Sequence, residues 1–257
     1  MLLRLEPMLR RAYGRGFALV GGWGKATAKE CNICGGVFHS FVVLSSGDAL
    51  CPRCGSLDRQ RGLWYLLNHP PQQWDAAQSQ TSEPILHRGA AVLHFSPSRV
   101  LRRKLTELAK QRGVEYVTTD YEGEFAADLR LDITQLPTHH TETFDVVLCY
   151  HVLEHIRDDR AAMRELYRVT KHGGILLAQT PFLEQATATT YENEAFTHTP
   201  DDRLTHFGQR DHLRIYSRSG LAERLTASGF TVHTLTLLAT DFRFLHAPQN
   251  VVVGVKV

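Results

Sequence analysis

Along this chain, short unbroken apolar runs alternate with stretches where apolar residues recur every three or four positions. Phe144-Asp-Val-Val-Leu-Cys149 is one such run, rich in β-branched residues and bounded by polar sequence. It predicts a buried strand of a mostly parallel sheet. Ala90–Ser96, Val114–Asp120, Ile175–Thr180, Phe230–Leu238 and Asn250–Val257 predict further strands. Between them the period changes to that of a helix. Val100, Leu101, Leu105 and Leu108 share one face of Arg99–Arg112, which ends at Gly113. Ala162, Met163, Leu166 and Val169 share another after Arg157–Arg160, and Ser219–Gly229 predicts a third helix. The second helix is expected to stop at Lys171-His-Gly-Gly174, a basic last turn with a left-handed cap. Strands alternating with helices give a doubly wound α/β sheet over residues 86–257.

Residues 1–70 follow another logic. Cys31-Asn-Ile-Cys34 and Cys51-Pro-Arg-Cys54 are two CxxC pairs separated by 16 residues. That spacing suits a tetrahedral four-thiolate zinc site. Each pair runs into a glycine, Gly35 or Gly55, which lets the backbone turn tightly beneath the thiolates. With four cysteine ligands no coordination position is left for water, so the zinc is expected to be structural. Val37–Leu44 predicts one strand of a hairpin turning at Ser46-Gly47, and Leu57–Leu67 a helix, together a zinc ribbon or treble clef. Cys149, the fifth cysteine, falls in a buried strand and reads as a small core residue.

Leu2, Leu3, Leu5 and Met8 among arginines predict a short amphipathic helix. Gly14–Lys25 is glycine-rich but is not a phosphate-binding loop: Leu19 stands where the first glycine is needed, and Ala26 follows Lys25 where Ser or Thr is needed. It reads as a flexible connection. Pro70–Pro84 is polar and bracketed by proline, which sets the organisation as a zinc-binding module (1–70), a linker (71–85) and an α/β domain (86–257).

Composition adds little except through its distribution. The net charge is +2, yet residues 1–70 carry nine Lys/Arg against four acids, leaving the remainder at −3. A basic module could meet phosphates or an acidic partner, or simply be a solvated surface. No stretch approaches the ~20 apolar residues of a membrane span, and Phe17–Val20 is too short for a signal peptide. A cytoplasmic location is expected, where CxxC pairs favour metal over disulfide.

Chemistry concentrates after the strand Phe144–Cys149. Tyr150, His151, Glu154 and His155 follow its carboxyl end, the edge where open α/β sheets bind ligands. Asp120 ends the strand beginning at Val114, where a carboxylate can accept hydrogen bonds from ribose hydroxyls. Pro181–Arg214 is long for a connection in a compact domain and carries Tyr191, Glu192, His198, Asp201, Asp202, His206, Asp211 and His212. Asp211-His212 could form an oriented base.

The pattern FDVVLCYHVLEHI (144–156) with LYRVTKHGGILL (166–177) resembles the second half of a class I S-adenosylmethionine-dependent methyltransferase. The resemblance implies a Rossmann-like sheet with an antiparallel last strand and S-adenosylmethionine as cofactor. By the same resemblance Asp132 would take the adenine amino group and Ile133 would lie beside the ring. The turn after the first strand, His94-Phe-Ser-Pro-Ser98, would face the methionine part through His94, Phe95 and Ser96, with Tyr150 nearby. That turn lacks the glycines usual in the family. One branch carries a comparable turn after a CPxCG module, and includes bacterial proteins associated with surface-glycan or natural-product biosynthesis. The resemblance to it covers residues 31 to 230. Glu154 and His155 match positions that carry acid/base residues in some sugar methyltransferases and that anchor the helix start in others. Methyl transfer to oxygen or nitrogen of a small-molecule or glycan acceptor is the leading expectation. RNA methylation through the basic module, and a non-catalytic protein on the same scaffold, are the rivals.

Overall fold

The computed structural model describes residues 28–44, 47–69, 85–183 and 189–257. The helix expected around Leu2, the Gly14–Lys25 connection, Ser46 and residues 70–84 of the linker lie outside the described residues. The chain divides into two compact units. One holds the described residues up to 69 together with Thr236–Gln249; the other runs from 85 to Leu235 and resumes over Asn250–Val257.

In the first unit, β1 (Lys29–Glu30) pairs antiparallel with β2 (Val37–Phe38), and β3 (Val42–Val43) with β4 (Ala49–Leu50). Val37–Leu44 is therefore not one strand but two, in separate two-stranded sheets. The reason lies in its aromatics. Phe38 and Phe41 approach each other, with centroids 6.3 Å apart, and Phe41 is buried. Residues three apart point to opposite faces of a straight strand, so the chain bends between them. The strands on either side of the expected turn do pair, and Leu44 N–H donates to Asp48 O at 2.8 Å. Helix α1 (Asp58–Asn68) buries Leu63, Leu66 and Leu67.

The segment 236–249, expected to belong to the α/β domain, groups with this unit instead. Lys29 Nζ donates to Leu245 O at 2.7 Å and Glu30 N to Arg243 O at 3.2 Å. Tyr65 packs on Phe242 and Phe244, with centroids 4.6 and 5.2 Å away.

The second unit follows the expected alternation: β5 (Ala91–Phe95), α2 (Arg99–Arg112), β6 (Glu115–Thr119), β7 (Phe144–Tyr150), α3 (Asp159–Val169), β8 (Thr170–Gln179), α4 (Pro200–Phe207), α5 (Arg218–Ala227), β9 (Thr231–Leu237) and β10 (Gln249–Val255). The sheet order is β6-β5-β7-β8-β10-β9. β6, β5, β7 and β8 run parallel and β10 pairs antiparallel with β8. Helix α2 caps on Ser98 and ends at Gly113 with φ +69°, while α3 starts at Asp158, whose carboxylate accepts from Ala161 N at 2.9 Å. Ala162, Met163, Leu166 and Val169 enter one core with Leu93, Phe95, Val147, Cys149 and Leu176. Cys149 is fully buried there, and burial pushes its thiol pKa up.

One expected boundary is corrected. Helix α3 ends at Thr170, which is already extended, and Lys171–Gly174 lie inside β8 rather than capping the helix. The pairing of β7 with β8 shifts register between Phe144↔Thr170 and Val146↔Ile175, so the glycines absorb a bulge. Gly173 takes φ +73°, and a Cβ at Gly174 would meet Lys171 O at 2.9 Å. Lys171 pairs with Asp145 at 2.8 Å instead of serving a helix end.

Candidate active site

Because β5 leads to β6 on one side while β7 lies on the other, the sheet order reverses between β5 and β7. Ligands of open α/β sheets bind outside the carboxyl ends of strands at such a point. A cavity of about 420 Å³ opens there. Phe95 and Ser96 line it from the end of β5, Thr119 and Asp120 from β6, Asp132 and Ile133 from the following loop, and Val152 and His155 from beyond β7. Five of the seven residues expected to hold the cofactor therefore meet in one cavity.

His94 and Tyr150 do not line it. Strand alternation places Ala91, Leu93 and Phe95 on one face and His94 on the other, and β7 pairs Cys149 with Phe95. Tyr150, next after Cys149, falls on the His94 side. The His94 side chain is buried, with Nδ1 2.8 Å from Tyr116 Oη. Burial drives its pKa down to about 3. The Tyr150 hydroxyl is buried with no hydrogen-bond partner, and burial pushes its pKa up.

The His94 shift has a measurable consequence. An unfolded histidine titrates near 6.5, so as pH falls the unfolded chain takes the proton first. The stability from keeping His94 neutral is complete above pH ~6.5 and is lost progressively toward pH ~3, about 2 kcal/mol of it by pH 5. His94→Gln should show a smaller loss between pH 7.5 and 5.0 than the parent in urea unfolding, by about that amount. Equal losses in both proteins would rule out His94 as the titrating group.

Ser96 explains how a turn without glycine is built. It takes φ +46°, a left-handed backbone that glycine adopts without strain. Ser96 N donates to Thr119 O at 2.7 Å, and its hydroxyl donates to Asp120 Oδ1 at 2.8 Å. Asp120 is buried, and its Oδ2 accepts from Phe125 N at 3.2 Å. Each carboxylate oxygen has a further lone pair, so a diol can still be received. Asp132 sits exposed at the rim with Oδ1 accepting the Thr134 N–H at 2.8 Å, and Ile133 is buried beneath it.

The second group of candidates also converges. Leu153–His155 forms one 3₁₀ turn after β7, preceded by His151 at φ +55°. Leu213 N donates to Glu154 O at 2.9 Å, which brings Asp211 and His212 alongside. His151 Nδ1 lies 3.3 Å and His155 Nε2 3.9 Å from Glu154 Oε1, and His155 Nδ1 lies 3.4 Å from Asp211 Oδ2. The His155 and His212 rings meet edge to face, with centroids 4.8 Å apart. Burial works against the Glu154 carboxylate, but His151 and His155 outweigh it and its pKa lies below the usual value. Burial lowers the His212 pKa, which favours the neutral ring.

Asp202, His206 and Glu192 of the long connection make contacts that hold the fold. Asp202 closes a capping box with Thr199 on α4, and His206 stacks on Phe196 at 3.6 Å. Glu192 accepts from Arg214 Nε at 2.9 Å and also pairs with Arg224, which reaches Asp159. Arg214 donates to the carbonyls of Leu153, Ile156 and Arg157, clamping the turn that carries Glu154 and His155. Arg214, Arg224 and Asp159 carry no motif, so only the folded chain reveals them. Segment 184–188 lies outside the described residues.

In the first unit the four cysteine sulfurs lie within 4.8 Å of one another. Cys31 and Cys54 Sγ are 3.7 Å apart, as are Cys34 and Cys51. A disulfide requires about 2.05 Å, whereas a tetrahedron of Zn–S bonds of about 2.3 Å sets the sulfurs about 3.8 Å apart. The cysteines fit zinc. Gly35 and Gly55 take φ +66° and +74°, and their N–H groups donate to Cys31 O and Cys51 O.

The methyltransferase-domain family matches residues 76–235, well over half of the chain. The chain belongs to that family. It is an S-adenosylmethionine-dependent methyltransferase with the family's Rossmann-like, mostly parallel sheet. No curated protein matches it. Similar solved structures include the putative methyltransferase complexed with the Trm112 methyltransferase activator of Haloferax volcanii: 15% identity, 66% of this chain and 84% of that one, TM-score 0.46. YcgJ of Bacillus subtilis gives 16% identity over 66% and 93%, TM-score 0.44. The Burkholderia thailandensis 1,6-didemethyltoxoflavin-N1-methyltransferase with bound 1,6-didemethyltoxoflavin and S-adenosylhomocysteine gives 17% identity over 66% and 72%, TM-score 0.44. Among the described residues no helix is long and apolar enough to cross a membrane.

Proposed function

We propose that this methyltransferase acts on an oxygen or nitrogen of a small-molecule or glycan acceptor, with a structural zinc in its N-terminal unit. One observation carries the acceptor side of the reading: His155 lines the cavity and also belongs to the cluster of His151, Glu154, Asp211 and His212. S-adenosylmethionine would supply its sulfonium methyl group, the acceptor attacking the methyl carbon in line as S-adenosylhomocysteine leaves. Asp120 would receive the ribose hydroxyls, Ile133 would lie against the adenine, and Asp132 would take its amino group. His155, which lines the cavity, would take the acceptor proton, with His151 beside it 3.3 Å from Glu154. Asp211 Oδ2 stands 3.4 Å from His155 Nδ1, and His155 Nε2 faces Glu154 at 3.9 Å.

Among the described residues, Arg59 and Arg61 pair with Asp48 and Asp58, while Lys29 and Arg53 donate to the carbonyls of Leu245 and Cys34 and keep their charge.

Calorimetric titration with S-adenosylmethionine and S-adenosylhomocysteine tests the cofactor site, with micromolar binding expected. Asp120→Ala should weaken that binding by ~1–3 kcal/mol, between about 5- and 150-fold, through lost hydrogen bonds to a carboxylate. An unchanged Kd would remove Asp120 from the site.

A further inference from the structure

The cluster beside the cavity contains a polar debt that proton chemistry leaves unexplained. Glu154 is fully buried, yet neither carboxylate oxygen has a hydrogen-bond partner; the 3.3 Å approach of His151 does not have hydrogen-bond geometry. His212 is 3% exposed, and its Nδ1 is also unpartnered. Buried polar atoms are nearly always satisfied, and a set of electron donors left facing one another calls for a cation. Glu154, His155 and His212 each offer one ligand atom, all within 4.8 Å of one another.

We propose that Glu154, His155 and His212 bind a divalent transition-metal ion, deepening the methyltransferase reading on which this inference rests. Two imidazoles and one carboxylate leave coordination positions open, as catalytic zinc and other borderline ions require. Bonds of about 2.0–2.2 Å in a tetrahedron set ligand atoms about 3.3–3.6 Å apart, so ligand atoms now within 4.8 Å of one another would close by on the order of 1 Å on binding. The surroundings already have the form of a metal site. Asp211 Oδ2 lies 3.4 Å from His155 Nδ1 while Nε2 lies 3.9 Å from Glu154 Oε1, so a second carboxylate stands at the ring nitrogen away from the site, as in carboxylate–histidine–metal arrangements. The backbone bond from Leu213 N to Glu154 O and the Arg214 clamp fix the two ligand-bearing segments against each other. An acceptor hydroxyl entering beside the cavity would complete the coordination and lose its proton more readily, with His151, which is not a ligand, placed to take it.

The test is metal stoichiometry on the full chain. Zinc-loaded protein should carry one thiolate-bound zinc and take up a second equivalent when Co²⁺ is added. The cobalt should show visible d–d bands without the intense near-ultraviolet thiolate charge transfer of a cysteine site. His155→Ala, on a partly exposed ring, and His212→Ala should each lower that second affinity at least 10-fold while retaining one zinc. No second equivalent in folded, zinc-loaded parent protein would overturn the site. Undiminished uptake by folded His155→Ala would overturn the ligand set. Calorimetry with S-adenosylhomocysteine on the same samples separates the two readings: cofactor binding without a second ion discards the metal and leaves methyl transfer standing.

Discussion

Cys51→Ser is expected to abolish zinc binding and with it the native structure of the first unit. Four strands of two residues each cannot hold themselves by ladder hydrogen bonds, and a unit this small buries too little apolar surface to offset its chain entropy. Its apolar interior is essentially Ile33, Phe41, Leu50, Leu63, Leu66, Leu67 and the 237–245 segment. Structural zinc contributes roughly 10–16 kcal/mol in peptide systems, and that binding energy is folding energy. Serine offers no thiolate, and three sulfurs around an ion meant for four leave it open to water and exchange. Hydrogen exchange read by mass spectrometry should show protection lost over 49–50, 58–68 and 243–246, with zinc content falling from one thiolate-bound ion to none. Retained protection in metal-free Cys51→Ser would mean the cysteines are not what holds this unit together. The two CxxC knuckles make the prediction sharp, since Ser56 Oγ lies 3.2 Å from Cys54 and 3.5 Å from Cys31, placed to donate to the thiolates.

Much of the second unit was legible because its signals are periodic. Every strand and helix predicted there forms within a few residues, and the Ala162, Met163, Leu166, Val169 stripe is buried as its spacing requires. The carboxyl-end edge of the sheet and Asp120 followed from the alternation of strands and helices, whereas Ser96 and Asp132 were expected only from the family resemblance; the three line one cavity. What the sequence did not reveal falls into three physical classes. Phase is the first. A strand residue one position out of step points to the other face, so His94 and Tyr150 miss the cavity that Phe95 reaches. Glycine meaning is the second. Gly173 and Gly174 read equally well as a helix cap or a bulge, and only pairing with β7 decides it, whereas the left-handed residue of the first turn is a serine. The third is long-range partnership. Nothing local marks 236–249 as belonging with residues 29–65, or Arg214 as the clamp on a turn more than fifty residues earlier.

Arg61 is the strongest instance of that third class, and Arg61→Met should cost about 3–5 kcal/mol. The side chain is fully buried, and its guanidinium lies 4.0 Å from the Phe41 ring centroid. Nε donates to Phe244 O at 2.6 Å, Nη2 to Ala49 O at 2.9 Å and to Asp58 Oδ1 at 2.8 Å, and Nη1 to Ser56 O. Asp58 in turn accepts from Ala49 N at 3.0 Å and His246 N at 2.8 Å. Methionine fills most of the volume but leaves a buried carboxylate without its cation and several carbonyls without a donor. Lysine would not rescue it, because a point ammonium cannot reach carbonyls on three segments at once. Urea unfolding of zinc-loaded protein measures the loss, and Arg61→Met/Asp58→Asn should lose less than the two single changes added together if the pair is coupled. A loss below ~1 kcal/mol would mean water replaces the guanidinium. Because Ala49 O and Ser56 O bracket the loop presenting Cys51 and Cys54, the variant should also hold its zinc less tightly. Chelator competition would then show faster metal loss from Arg61→Met than from the parent, connecting a buried ion pair to the thiolate geometry it supports.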